Sequence, residues 1–251
     1  MHPTTRLQQL VPALGNIPAS TWWRDARRCP VPSVGFLHTS LVHEPTFTAQ
    51  LEDAAGAHAV HQVHRVDESL LADARSHGID AVLQERIRAH LRRLADQVDV
   101  IVCTCSTIGG EAERLAAAEG IVFVRVDRPM AERAIATGGR IGVAAAVAST
   151  IGPTRALLLQ VAGAAGVEAE IVDIDCASAW TLFEQGDMSA YFADIARSVR
   201  LAARATPFDG VVLAQASMAG AAALLAGEPY PVLSSPKPAV ERALGLALAA
   251  R

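Results

Sequence analysis

The chain has 251 residues, of which 51% are hydrophobic and 19% charged, with a formal net charge of -4. That balance suits one large or two small well-buried α/β domains, and the absence of a polybasic run argues against nucleic acid or an anionic membrane as partner. With aromatic residues at only 4%, stacking platforms for single-stranded bases are also excluded.

Residues 1–30 have no basic segment leading into a solid apolar core, so they read as an N-terminal extension rather than a signal peptide, and the expected location is cytoplasmic. The first strand is predicted at PSVGFLHT (32–39), ending near His38 and Thr39. The second is HAVHQVHRV (58–66), followed by an amphipathic helix over 80–97. DVIVCTC (99–105) is the third strand, leading into a helix through EAERLAAAEG that Gly120 stops; IVFVRV (121–126) is the fourth.

The pattern then restarts. RIGVAAAV (140–147) parallels PSVGFLHT, EAEIVDIDC parallels HQVHRVDES, DGVVLAQ parallels DVIVCTC, and YPVLSS parallels GIVFVRV. IGVAAAVASTIGPT is the most membrane-like stretch, but Pro153 and Arg155 interrupt it, so it reads as a buried strand followed by a loop. The offsets, 107 to 110 residues, hold in order across all four pairs, which points to an internal duplication. The expected fold is therefore α/β, with two pseudo-symmetric Rossmann-like lobes, each a parallel sheet of about four strands flanked by helices. Lobe 1 spans 31–136, completed by a C-terminal helix over 237–251, and lobe 2 spans 137–236. Ligands of open parallel sheets bind beyond the strand C-termini, so a cleft between the lobes is the expected active site.

Cysteines 29, 103, 105 and 176 are expected to be reduced thiols. Lys237 is the single lysine and sits between Pro236 and Pro238, a poor position for a Schiff base to pyridoxal phosphate. The sequence has neither a GxxxxGK[ST] nor a GxGxxG loop, and no cofactor is expected. A Cys-x-Cys metal site drawing on His58, His61 and His64 is disfavoured, because alternation scatters those histidines over both faces of a strand.

Cys105 falls where a strand ends and a helix begins. Ser106 and Thr107 beside it supply hydroxyls, and Gly109 and Gly110 leave the backbone N–H groups unhindered, a setting that favours a bound anion and an available thiolate. Cys103 reads as a small buried hydrophobe. Across the cleft the second repeat presents Gln215, Ala216 and Ser217. His38, Thr39, Ser149 and Thr150 end the first strands of the two repeats and are candidate substrate contacts, with Phe36, Trp180 and Phe183 as candidates for side-chain selectivity.

With these residues in place, the chain resembles the aspartate/glutamate racemase superfamily, which includes hydantoin racemases, maleate isomerases and arylmalonate decarboxylases. Cys105-Ser106-Thr107 is similar to the family's first Cys-Asn/Ser-Thr motif. Leu213-Ala214-Gln215-Ala216-Ser217-Met218 is similar to the second, which in hydantoin racemases reads Leu-Gly-Cys-Ala-Gly-Met. GFLHTS, RIGVAAAVAST and PVLSSP fall at the family's other strand ends, so the likeness covers the chain from about Val31 onward. It implies cofactor-independent chemistry on a small carboxylate and, as is usual in the family, a homodimer or higher homo-oligomer.

One departure matters. Family racemases place a cysteine on each side of the α-carbon, whereas Gln215 stands at the second position, and an amide is neither base nor useful acid near neutral pH. Three readings follow: a one-cysteine isomerase or decarboxylase-like lyase with Cys105 as acid/base or nucleophile and Gln215 on the substrate; a racemase with His38 as second acid/base; and a non-catalytic carboxylate-binding protein.

Overall fold

The computed structural model describes residues 31–251; Cys29 and the Trp22–Trp23 pair lie outside them. The apolar runs become strands, each shorter than the sequence pattern predicts. In the first repeat these are β1 (Ser33–His38), β2 (His61–Val66), β3 (Val100–Cys103) and β4 (Phe123–Arg125). In the second they are β5 (Gly139–Ala145), β6 (Ala169–Asp175), β7 (Gly210–Leu213) and β8 (Val232–Ser234). All pairings are parallel, in the orders β2-β1-β3-β4 and β6-β5-β7-β8. The identical order confirms two like α/β lobes. The central strands β3 and β7 are wholly buried, and their sequences VIVC and GVVL carry no alternation because both faces are covered.

Helices α1 (Glu44–Ala55), α2 (Ser69–His77), α3 (Ala81–Ala95) and α4 (Ser106–Ala118) clothe the first sheet. The Asp80 carboxylate caps α3 by accepting from Leu83 N at 2.8 Å, and its buried stripe is Leu83, Ile87, Leu91 and Leu94, at helical spacing. After α4 the chain turns through Gly120, whose φ of +66° is cheap only for glycine. Next come α5 (Arg128–Thr137), α6 (Ile151–Ala165), α7 (Ala177–Glu184), α8 (Met188–Ala205), α9 (Ala221–Leu224) and α10 (Pro236–Ala249). The stretch with membrane-like composition is buried β5, a 3₁₀ turn at Ala148–Thr150 and the start of α6. Among the described residues no helix is long and apolar enough to cross a membrane.

The lobes exchange helices. From the C-terminal end, α10 packs Ala239, Val240, Ala243, Leu244 and Ala247 onto Val34, Phe36, Val100 and Val102 of the first sheet. In return, α5 gives Met130, Ala131, Ala134 and Ile135 to the core under β5 and β7 of the second. The helix Arg128–Thr137, almost all of it within the 31–136 span expected for lobe 1, thus covers the second sheet. The two exchanged helices meet through the reciprocal ion pairs Arg133–Glu241 and Arg242–Glu132.

A buried pair braces the junction. Arg125 Nε and Nη2 donate to the Asp127 carboxylate at 2.6 and 3.0 Å, and Nη2 also donates to Pro153 O of the second lobe at 3.2 Å. The Arg125 side chain lies along α4, so a Cβ at Gly109 or Gly110 would stand 3.2 or 3.1 Å from it. Those glycines thus make room for the arginine as well as baring backbone near Cys105. Removing one partner of such a pair strands the other charge away from water. Asp127→Ala is expected to lower the unfolding free energy by about 3–5 kcal/mol, read from urea denaturation; a loss below 1 kcal/mol would show that the pair does not brace the fold.

Candidate functional site

The strand C-termini of both lobes open onto one cavity of about 110 Å³. Lobe 1 contributes Thr39, Ser40, His43, Arg75, Thr104, Cys105, Ser106 and Thr107; lobe 2 contributes Val147, Ser149, Thr150, Trp180, Phe183, Ala214, Gln215, Ala216 and Ser217. Among the described residues, no aspartate or glutamate lines it. The Thr39, Ser40, Thr107 and Thr150 hydroxyls make no hydrogen bond to the described residues, and the buried Ser149 Oγ has no partner either. Arg75 on α2 carries a guanidinium at the rim with neither ion pair nor hydrogen bond among the described residues.

Cys105 is the N-cap residue of α4, in extended backbone (φ -115°, ψ 117°), and makes no side-chain cap bond. The first-turn N–H groups of α4 therefore stay available beside the thiol. Of the three described cysteines, all free thiols, only Cys105 reaches the cavity. Cys103 is fully buried, and burial followed by its closeness to Cys105 raises its pKa, keeping the thiol protonated. Cys176 is pushed up to about 12, by burial first and then by Asp175. Ser106 Oγ donates across the cleft to Ala214 O at 3.4 Å.

Gln215 holds the position equivalent to Cys105. Its Oε1 accepts from Ala146 N at 2.7 Å and Val147 N at 3.0 Å, so the amide that the sequence assigns to the substrate is engaged with its own lobe. Ser217 Oγ sits 3.0 Å from the Tyr191 hydroxyl, whose pKa burial pushes up to about 12.

His38 corrects the sequence reading. It is fully buried and does not line the cavity. Thr104 Oγ1 donates to Leu37 O at 3.2 Å, so His38 Nδ1 donates to Thr104 at 2.9 Å, and Nε2 accepts from His64 Nδ1 at 2.9 Å. Both nitrogens are thereby used. The ring also lies near-parallel to Phe36 and His64, at centroid distances of 5.8 and 5.2 Å. Burial, with help from His64 and His43, lowers its pKa from 6.5 to about 3. Phe36 is likewise core, whereas Trp180 and Phe183 stack on each other at 4.9 Å as a cavity wall.

Two ionisable cavity residues escaped the sequence reading, as did the apolar Val42 and Leu71. His43 ends a 3₁₀ turn (Leu41–His43) after β1, and burial lowers its pKa. Arg75 lies on α2, whose sequence SLLADARSH buries only Leu70 and so carries a faint periodic signal. Among the described residues no group of three or more His, Cys, Asp or Glu side chains is placed to hold a metal ion.

Two parallel α/β lobes in the same strand order, closed over a cleft with a thiol at one strand end, define the aspartate/glutamate racemase fold. Solved structures with this fold include an aspartate racemase from Picrophilus torridus (TM-score 0.65, 15% identity, 86% of this chain and 94% of that one). An allantoin racemase from Klebsiella pneumoniae aligns with a TM-score of 0.57 at 19% identity, over 87% and 88% of the two chains. A sulfate-associated variant of arylmalonate decarboxylase aligns at 0.60 and 18%, over 88% and 95%. No family model and no curated relative matches the sequence.

The buried histidine sets a pH dependence. Below pH 6.5 the unfolded chain takes up a proton at His38, while the folded chain does so only near 3. Its contribution to stability is therefore complete above 6.5 and is lost as pH falls towards 3. His38→Asn is expected to flatten the decline of unfolding free energy over that interval, measured by urea titration at a series of pH values; an unchanged slope would remove His38 as its source.

Proposed function

We propose that this chain is a cofactor-independent enzyme that forms or quenches negative charge at the carbon next to the carboxylate of a small molecule, with Cys105 as its thiol acid/base or nucleophile. The observation that carries this reading is the composition of the cleft among the described residues: one thiol, a set of unpartnered hydroxyls, an uncapped helix N-terminus and an unpaired arginine, with no carboxylate. Such a lining suits an anion and the enolate-like charge that develops when an α-proton or CO₂ leaves. The fold neighbours, racemases and a decarboxylase, support an isomerase or lyase of this kind.

Cys105 acts from the lobe 1 face. The N–H groups of Ser106 and Thr107, the Thr107 hydroxyl and the Ser217 hydroxyl, with Tyr191 donating to it, supply donors to the developing oxyanion, and Thr39, Ser149 and Thr150 complete the polar lining. Trp180 and Phe183 give the α-substituent an apolar wall. With one thiol among the described lining residues and Gln215 at the second position, single-sided chemistry is favoured: isomerisation through one group, or decarboxylation with protonation from Cys105. The expected location remains cytoplasmic, and the expected partners are the carboxylate and a second copy of the chain.

His43 supports a second reading. Among the described residues it is the one imidazole that lines the cavity, and burial, which lowers its pKa, favours the neutral ring suited to proton exchange. With it as the second acid/base, racemase activity is retained.

Proton NMR in heavy water, run over L-amino acids, hydantoins and α-substituted malonates, separates these. Loss of CO₂ or exchange without inversion supports the one-thiol enzyme; exchange with inversion supports the His43 reading. Cys105→Ala is expected to reduce turnover by about 10²–10⁴-fold, and full retained turnover would remove the thiol from the mechanism. Silence across the panel with ligand-dependent thermal stabilisation would make the protein a binder instead. Gln215→Cys is expected to add or increase racemisation, judged by chiral chromatography of the product.

A further inference from the structure

The two lobes treat one backbone feature differently. Sheet register fixes the equivalences: Asp67 N donates to His38 O as Cys176 N donates to Ala145 O, so Thr39 and Ser40 correspond to Ala146 and Val147. Likewise Thr104 N donates to Leu37 O as Ala214 N donates to Ala144 O, so Cys105 corresponds to Gln215. Local geometry agrees. Ser40 and Val147 are both extended (φ -157° and -122°), and each precedes a 3₁₀ turn. Cys105 and Gln215 share φ values of -115° and -116°.

In lobe 2 the N–H pair of this feature holds an sp² oxygen, Gln215 Oε1. In lobe 1 the N–H groups of Thr39 and Ser40 have no partner among the described residues, and the cysteine in the equivalent position carries no oxygen to offer them. Thr39 is only 4% exposed, yet it lines the cavity and its hydroxyl is unpartnered. A nearly buried donor set with nothing to bond is costly unless a ligand supplies the acceptor.

We propose that the N–H groups of Thr39 and Ser40, with the Thr39 hydroxyl, seat one carboxylate oxygen of the ligand, in the way that their lobe 2 counterparts seat the Gln215 oxygen. The rim guanidinium of Arg75 and the lack of any acidic residue among the described lining residues select a carboxylate over a neutral carbonyl. This rests on the reading of the cleft as a small-carboxylate site and sharpens it. Because Gln215 fills the lobe 2 seat, the chain binds one carboxylate, on the Cys105 side, and the ligand's orientation follows.

The test is amide NMR of the ¹⁵N-labelled chain titrated with acetate and with phenylacetate, against chloride at matched ionic strength. The Thr39 and Ser40 resonances are expected to shift and saturate, while those of Ala146 and Val147 stay still. Cys105→Gln should fill the seat from within, giving ligand-free shifts like those of the bound wild type and at least a tenfold loss of affinity. Thr39→Val is expected to weaken binding roughly tenfold, and it decides the matter if Cys105→Gln does not fold. Gln215→Ala should make Ala146 and Val147 respond to acetate. Saturating shifts that bypass Thr39 and Ser40, or a folded Cys105→Gln chain that binds like wild type, would overturn this inference and leave the thiol chemistry standing. Absence of binding by either acid would overturn both.

Discussion

The structure depends on how far the central strand of each sheet runs past its neighbour. Backbone pairing ends with Thr104 N on Leu37 O in one lobe and Ala214 N on Ala144 O in the other. The next residue in each case is released from the ladder and turned towards the other lobe. A slip of one residue would reverse every side chain on a strand buried on both faces, so packing enforces this register firmly. Cys105 and Gln215 meet at one cavity because two sheets obey the same constraint.

Given that frame, the interest lies in how a duplicated element has diverged. In one copy a long amide folds back and satisfies the N–H groups of its own lobe; in the other a short thiol leaves them open. The exchange of one side chain fills one half of a symmetric cleft and leaves the other half open. Under the proposed function a small anion then has a preferred side, and the bulky aromatic pair Trp180 and Phe183 stands on the opposite one.

Much of this was legible in the sequence, for a physical reason. Buried parallel strands are apolar throughout, and a repeat written twice in such strands survives as four ordered matches, so the lobes and the strand-end positions of Cys105, Thr39 and Gln215 could be placed without coordinates, whereas Ser149 lies in the 3₁₀ turn beyond its strand. What escaped depends on direction rather than position. His38 and Thr39 are adjacent, but alternation sends the ring back into an aromatic stack with Phe36 and His64 and the threonine forward into the cleft. His43 and Arg75 arrive from a 3₁₀ turn and a short, mostly exposed helix, elements with too few buried residues to leave a periodic trace. The destination of α5 was hidden for the same reason: its apolar stripe says that it packs, not upon which sheet.

The traded helices have a consequence for biogenesis. A ribosome releases the chain from its N-terminus, so the first sheet emerges with the surface around Val34, Phe36 and Val102 bare, and the segment that covers it, Ala239 to Ala247, appears only after every strand of the second sheet. The amino-terminal half therefore cannot mature during translation as an independent unit. Its completion must await synthesis of the second sheet, and a product truncated before Ala239 would expose a sticky apolar face to its surroundings.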